Sequence, residues 1–211
     1  MPKKTKTCIA VIADLIDSKQ IKDRYAFQKD LAADLAKVGA GSLESPYTLT
    51  LGDEFQALYG NARGLLYDIL QIRAFIYPVR CRFSIAIGEI TTPINPNQAI
   101  GMDGPAFHLA RKKIEQLKNS DNHLSIAGLP AALNQLLSPA LDLLWTSTES
   151  WNANRLQILL RELESMSARQ GEYQLEITER AINKNIREAR LRDWVKFIES
   201  LEAQISQLIP S

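Results

Sequence analysis

Cys8-Ile9-Ala10-Val11-Ile12-Ala13-Asp14-Leu15-Ile16-Asp17-Ser18 is the stretch that decides how this chain folds. The apolar run up to Ala13 is short and continuous, the pattern of a strand buried on both faces. Asp14 closes that run. Desolvating a carboxylate at the end of a central strand is costly unless it is paired or bound to a cation. The same eleven residues therefore fix the middle of a sheet and place a charge beside it.

Moving outward, residues 24–38 predict an amphipathic helix, with Phe27, Leu31, Leu35 and Val38 recurring at steps of three and four. Gly39-Ala40-Gly41-Ser42 closes it. Residues 47–51 are β-rich, Gly52-Asp53 forms a turn, and residues 55–59 resume an apolar strand, which together outline a hairpin. A second helix is expected over 61–76, stopped by Pro78, and residues 80–88 alternate as a strand should. A loop with Pro93, Pro96 and Gly101 leads to a helix at 105–118, with Pro105 in its first turn. A strand at 123–127 and a helix at 130–144 follow.

The resulting order, β-α-β-β-α-β-α-β, predicts an α/β (α+β) fold with a ferredoxin-like, palm-type mixed sheet flanked by helices. Beyond about residue 145 strand signals vanish. Residues 152–166 and 177–208 read as helices, separated by Ser165-Met166-Ser167-Ala168-Arg169-Gln170-Gly171. The expected division is an α/β domain at 1–145 and a helical module at 146–211.

Composition narrows the function. The chain has 211 residues, 45% hydrophobic and 23% charged, with 25 Lys and Arg against 24 Asp and Glu and a net charge of +1. That apolar fraction builds a core, and the near-neutral balance argues against a protein that coats nucleic acid or membrane through bulk charge. No stretch has the roughly 18 apolar residues of a membrane span. The basic N-terminus is followed by too short an apolar run for a secretion signal. Cys8 and Cys81 sit in β-like runs with no CxxC or His partner, which gives neither a zinc site nor a disulfide framework. A reducing cytoplasm is the expected setting.

Three separated pieces carry the chemistry: Asp14 to Ser18, Gly52-Asp53-Glu54, and Asp103-Gly104. Each falls at a strand end or the adjoining turn, and the three are expected at a common sheet edge. Asp14 and Asp53 on paired strands make a hard-oxygen site suited to magnesium, which takes one or two protein carboxylates. Each also has a plainer role, since an Asp after a strand caps a turn and Gly-Asp is ordinary hairpin chemistry. Asp17-Ser18 likewise reads as a cap for the next segment.

The segments 12–19, 50–56, 82–92 and 103–111 resemble the SatD family of bacterial proteins, in order and spacing, over about residues 8–118. More distantly they are similar to nucleotidyl cyclase catalytic domains, the class III adenylyl and guanylyl cyclases and the GGDEF diguanylate cyclases. That resemblance implies Asp14 and Asp53 as ligands of Mg²⁺ or Mn²⁺, Glu54 as a supporting carboxylate, and a nucleoside triphosphate or related phosphate ligand. It implies two-metal nucleotidyl or phosphoryl transfer, a phosphate cradle at Ile16, Asp17 and Ser18, and a homodimer with shared sites. The Asn and Arg of cyclases, aligned on Gly104, fall on His108 and Lys112, and the purine-selecting Lys falls on Leu49. Cyclisation and purine choice are therefore unsupported, while metal-triphosphate binding survives. The alternative is a nucleotide-sensing regulator without turnover.

In the tail, residues 180–196 hold six basic residues against Glu188 and Asp193, a local excess of +4. A Trp after a basic helix resembles the end of helix-turn-helix modules, although Asn183-Lys184-Asn185 stands where the Gly-containing turn belongs. Arg187 and Arg190 are the candidate DNA-phosphate contacts. Packing or dimerisation with a solvated basic face is the other reading.

Overall fold

The computed structural model describes residues 5–39, 43–50, 52–167 and 177–210. Gly41, Ser42, Leu51 and most of the 165–171 connection lie outside the described residues. The elements are β1 (Lys6–Leu15), a 3₁₀ turn (Ser18–Gln20), α1 (Arg24–Leu35), β2 (Leu43–Leu49), β3 (Glu54–Tyr59), α2 (Leu65–Ile76) and β4 (Cys81–Ile90). They continue with α3 (Pro105–Lys118), β5 (Leu124–Ala127), α4 (Ala131–Glu149), α5 (Ala153–Ser167), α6 (Glu179–Glu188) and α7 (Leu191–Ser206).

The sheet order is β2-β3-β1-β4-β5. β1 is central and antiparallel to both β3 and β4, β2 is antiparallel to β3, and β5 runs parallel to β4. The first four strands have the ferredoxin-like arrangement, and α3 is the crossover that a parallel β4–β5 pair requires. The mixed α/β fold expected from the sequence is the fold observed.

Side chains alternate across a strand, so β1 feeds two cores. Ile9, Val11, Ala13 and Leu15 enter the larger one, with residues of α1, α2, α4, α5 and α7. Cys8, Ala10 and Ile12 enter the smaller one, beneath Ala106, Ala110, Ile114 and Leu117 of α3. Asp14 continues this second series. α3 approaches closely because Gly88 has no side chain: a Cβ there would lie 2.8 Å from the backbone N of Ala106.

Boundaries moved where backbone geometry overrides apolar spacing. α2 starts at Leu65 instead of 61, because Gly64 adopts a left-handed φ of 78° that no preceding helical turn continues through. β2 starts at Leu43, and its pairing with β3 shifts register around Pro46. α4 runs to Glu149, past the expected division at 145/146. The expected turn at Asn183-Lys184-Asn185 is wrong: those residues lie inside α6, and the chain turns at Ala189-Arg190, where Arg190 takes φ 52°.

The C-terminal helices are tied to α2 by carboxylates. Glu202 of α7 accepts hydrogen bonds from the backbone N–H groups of Gly64 (2.7 Å), Leu66 (2.8 Å) and Tyr67 (3.3 Å) at the α2 N-terminus. Those are orphan donors at the positive end of the helix dipole. Glu164 of α5 is buried and accepts from the Tyr67 hydroxyl. Charged caps of this kind stabilise by about 1–2 kcal/mol. Glu202→Ala should therefore lower the unfolding free energy in urea by about 1–2 kcal/mol, and Glu202→Gln, which keeps an acceptor, by less.

Candidate functional site

Register alone assembles the centre of the site. Asp14 of β1 lies opposite Glu54 of β3 on one side and Arg82 of β4 on the other, giving a lateral row of acid, acid and base on the α3 face. Arg82 Nη1 is 3.2 Å from Asp14 Oδ2, and Lys118 Nζ, from the last residue of α3, is 3.6 Å from Asp14 Oδ1. Arg111 of α3 pairs with Glu54, whose other oxygen accepts from Thr50 Oγ1 at 3.3 Å. Both acids are buried, Asp14 at 7% and Glu54 at 4% exposure. Burial raises the Asp14 pKa above its ordinary value, against the lowering influence of Lys118 and Arg82, and the charge of Asp53 raises it further.

The hairpin turn brings the second acid to the same end. The Leu15 N–H donates to the Asp53 carbonyl at 2.9 Å, Ser18 Oγ donates to Asp53 Oδ2 at 2.7 Å, and Arg24 Nη2 stands 3.9 Å from that oxygen. Gln28 of α1 holds the Gly52 carbonyl. Asp14, Asp53, Glu54 and Ser18 are therefore one cluster, with Asp53 its most accessible carboxylate. The cradle is smaller than expected. The Ile16 N–H is committed to the Arg80 carbonyl at 2.8 Å, so Ile16 has no donor left for a phosphate. Asp17, in the left-handed region at φ 55°, points its carboxylate to within 4.0 Å of Arg80 Nη2.

Asp103, Gly104, His108 and Lys112 do not join this cluster. β4 is antiparallel to β1, so its end at Ile90 lies opposite Lys6, eight residues or roughly 25 Å from Asp14 along the strand. Asp103 is anchored at that far end: its carbonyl accepts from the Thr91 N–H at 2.9 Å, and its own N–H donates to Thr92 Oγ1 at 2.9 Å. Its carboxylate caps the Gly104 N–H and meets exposed His108 Nε2 at 2.7 Å. Gly104, at φ 153°, is required by packing, since a Cβ would lie 2.4 Å from the Glu89 carbonyl oxygen. The expected common edge thus holds for two of the three pieces.

The bases that do reach the acids went unassigned in the sequence. Arg111 and Lys118 are seven apart, one face of α3, and lie a step around the helix from His108 and Lys112. Lys112 is exposed and makes no ion pair among the described residues. Arg82 had a legible signal: in an antiparallel pairing of the apolar runs it falls beside Asp14. Neither cysteine is a nucleophile, because burial pushes the Cys8 thiol up to about 11 and the Cys81 thiol up to about 12. In the tail, Arg190 donates to Asp193 at 2.7 Å, while Arg187 is exposed without an ion-pair partner among the described residues.

Residues 8–196, including both halves of the acid cluster, match the SatD family. The chain belongs to the SatD family. No curated protein matches the sequence. Among solved structures, this SatD-family chain aligns with a bacterial light-regulated adenylyl cyclase at 11% identity and a TM-score of 0.40. The alignment covers 59% of this chain and 43% of that one, so the chain spans less than half the length of that cyclase. No helix among the described residues is long and apolar enough to cross a membrane.

Among the described residues no three His, Cys, Asp or Glu side chains are grouped to enclose a metal. Magnesium takes one or two protein carboxylates, and Asp14 and Asp53 are the residues that could supply them. The raised Asp14 pKa has a consequence for stability. A carboxyl with a folded pKa above its unfolded value binds more protons in the folded state, so stability falls as pH rises through that interval. The fall in Tm that Asp14 contributes as pH rises above about 4 should therefore be absent in Asp14→Asn. A Tm–pH series on both proteins measures it.

Proposed function

We propose that this SatD-family protein binds a divalent cation, Mg²⁺ or Mn²⁺, together with a nucleoside triphosphate or related phosphate ligand at Asp14 and Asp53. The observation that carries the reading is the fixed approach of the hairpin turn to the end of β1. Ser18 and the Leu15 N–H hold Asp53 beside a second carboxylate that is buried and disfavoured as an anion. A cation between like charges favours the ionised form of both. When bound, it supplies charge neutralisation to phosphate oxygens and acidifies a nearby hydroxyl.

The chain's own residues do the rest. Asp14 and Asp53 would hold the ion, and Lys118, 3.6 Å from Asp14 Oδ1, is the cation that now neutralises that carboxylate. Arg24, beside Asp53 and partly exposed, presents its guanidinium to phosphate, and Ser18 keeps the turn in register. Glu54, locked by Arg111, supports the row without facing ligand. Asp103, Gly104, His108 and Lys112 make no hydrogen bond or ion pair with Asp14 or Asp53 among the described residues and would join such a site from a second protomer. The reading takes that arrangement as a homodimer with shared sites, its chemistry as nucleotidyl or phosphoryl transfer and its setting as cytoplasmic, as the resemblance of the sequence motifs to cyclases implies.

A second reading has its own support. Asp14 and Glu54 already face three cations, Arg82, Arg111 and Lys118, which suits a pocket that binds and senses without turnover. Its output would pass to the tail, where exposed Arg187 and Arg190 meet DNA phosphates or a protein partner.

Thermal melting with a panel of nucleoside triphosphates, each with and without Mg²⁺ or Mn²⁺, tests the site. At a hundred times Kd, a ligand specific for the folded state stabilises by about 2.7 kcal/mol. That shift is expected only with metal, and is expected to vanish in Asp53→Ala, whose partly exposed side chain is removable without opening the core. Equal shifts in wild type and Asp53→Ala would refute the assignment, as would no shift with any nucleotide. Given binding, product formation separates the two readings.

A further inference from the structure

On the opposite face of the sheet from Asp14 lies a cavity of about 250 Å³, walled by Arg73, Arg80, His123, Trp145, Glu149 and Trp151. It sits between the end of α2, the start of β4 and the junction of α4 with α5, and none of these residues belongs to the acid cluster.

Its charges are unusual for an interior wall. Arg73 donates from Nη1 to Thr148 Oγ1 (2.8 Å) and from Nη2 to the Thr148 carbonyl (3.0 Å), and its guanidinium stacks on the Trp145 ring at 4.2 Å. A guanidinium has five N–H donors. The others have no protein acceptor among the described residues, and no carboxylate lies within ion-pair distance of Arg73. Burial lowers its pKa, the cost of holding a cation there. Arg80 reaches only the exposed carboxylate of Asp17, at 4.0 Å. The acid of the wall, Glu149, is engaged by His123 Nδ1 at 3.0 Å. Burial lowers the His123 pKa from its ordinary value, against the raising influence of Glu149. Among the residues that line the cavity, two arginines stand against one glutamate, flanked by two indoles. Trp145 also keeps its buried Nε1 without a hydrogen-bond partner among the described residues.

We propose that this cavity is a second ligand site, for a small organic monoanion: a carboxylate on a flat, apolar or aromatic body. The planar fork of arginine matches a carboxylate bidentately. The indole walls of Trp145 and Trp151 suit a flat ring. The volume lies below the roughly 300–1,000 Å³ of pockets that enclose drug-sized ligands, which excludes a nucleotide and distinguishes this site from the one at Asp14. The carboxylate takes the free donors of Arg73 and draws Arg80 from Asp17.

Two of the chain's three tryptophans line the cavity, so intrinsic fluorescence reports occupancy directly. The full chain, without metal or nucleotide, is titrated with benzoate and indole-3-carboxylate, and with benzamide as the uncharged counterpart, by fluorescence and calorimetry. Saturable binding of at least one carboxylate is expected, with affinity at least about tenfold weaker in Arg80→Gln and in Arg73→Gln, a loss of about 1.4 kcal/mol. Arg80 is exposed, so its variant folds even where Arg73→Gln does not. Asp53→Ala should bind the carboxylates as wild type does, which keeps this result independent of the metal–phosphate reading. The proposal is overturned if neither carboxylate saturates at millimolar concentration, if benzamide binds as tightly, or if Arg80→Gln leaves the affinity unchanged.

Discussion

Two carboxylates side by side on a buried sheet face are the constraint around which this molecule is organised. Directly opposed like charges destabilise a strand pair, and burying them adds a desolvation cost that only close cations offset. Asp14 and Glu54 are such a pair, and their compensation comes from three directions: Arg82 along the row, and Arg111 and Lys118 from above. The two basic residues of α3 fix where the helix lies over the sheet. Ser84 Oγ, donating to the Ala110 carbonyl at 2.8 Å, and the bare backbone at Gly88 fix how close it comes. Remove the acids and α3 has an apolar face that could slide; with them it has one register.

That compensation is incomplete, and the shortfall is informative. Asp14 stays disfavoured as an anion even with Arg82 and Lys118 at hand. A buried ion pair repays its desolvation only when its partners are close and well aligned, and Arg82 and Lys118 stand 3.2 and 3.6 Å from Asp14. Glu54 differs. It is held by Arg111 and Thr50 on the two oxygens of one carboxylate, which suits a residue that holds its neighbours in place.

How much of this the sequence revealed follows from the range of each interaction. β1 was legible because its burial is written locally, in six successive apolar residues, and Asp14 and Asp53 because each punctuates such a run. Their proximity followed from hairpin pairing. Arg111 and Lys118 were not legible as site residues, because a helix face is known to within one step only when its packing partner is known; alignment on Gly104 selected His108 and Lys112 instead. Asp103 was misplaced because antiparallel pairing sends the two ends of β4 to opposite ends of the sheet, a fact of topology that motif spacing does not carry. The caps on α2 were invisible for a similar reason: Glu202 lies 138 residues from Gly64.

The same topology links the two faces of the sheet. Arg80 sits at the entry to β4, where its carbonyl holds the Ile16 N–H and its guanidinium faces Asp17, while its side chain also lines the cavity behind the sheet. One residue later the strand turns Cys81 into the large core, and the next turns Arg82 onto Asp14. Three successive residues at the entry to β4 therefore touch the turn, the core and the acid row in succession. A change in the position of Arg80 has a path of backbone contacts, not a chain of loose side chains, to the turn that holds Asp53 through Ser18. Coupling between the faces requires that the turn have two arrangements of comparable energy. Asp17, at φ 55°, is held in the left-handed region, a conformation that costs free energy for a residue with a side chain.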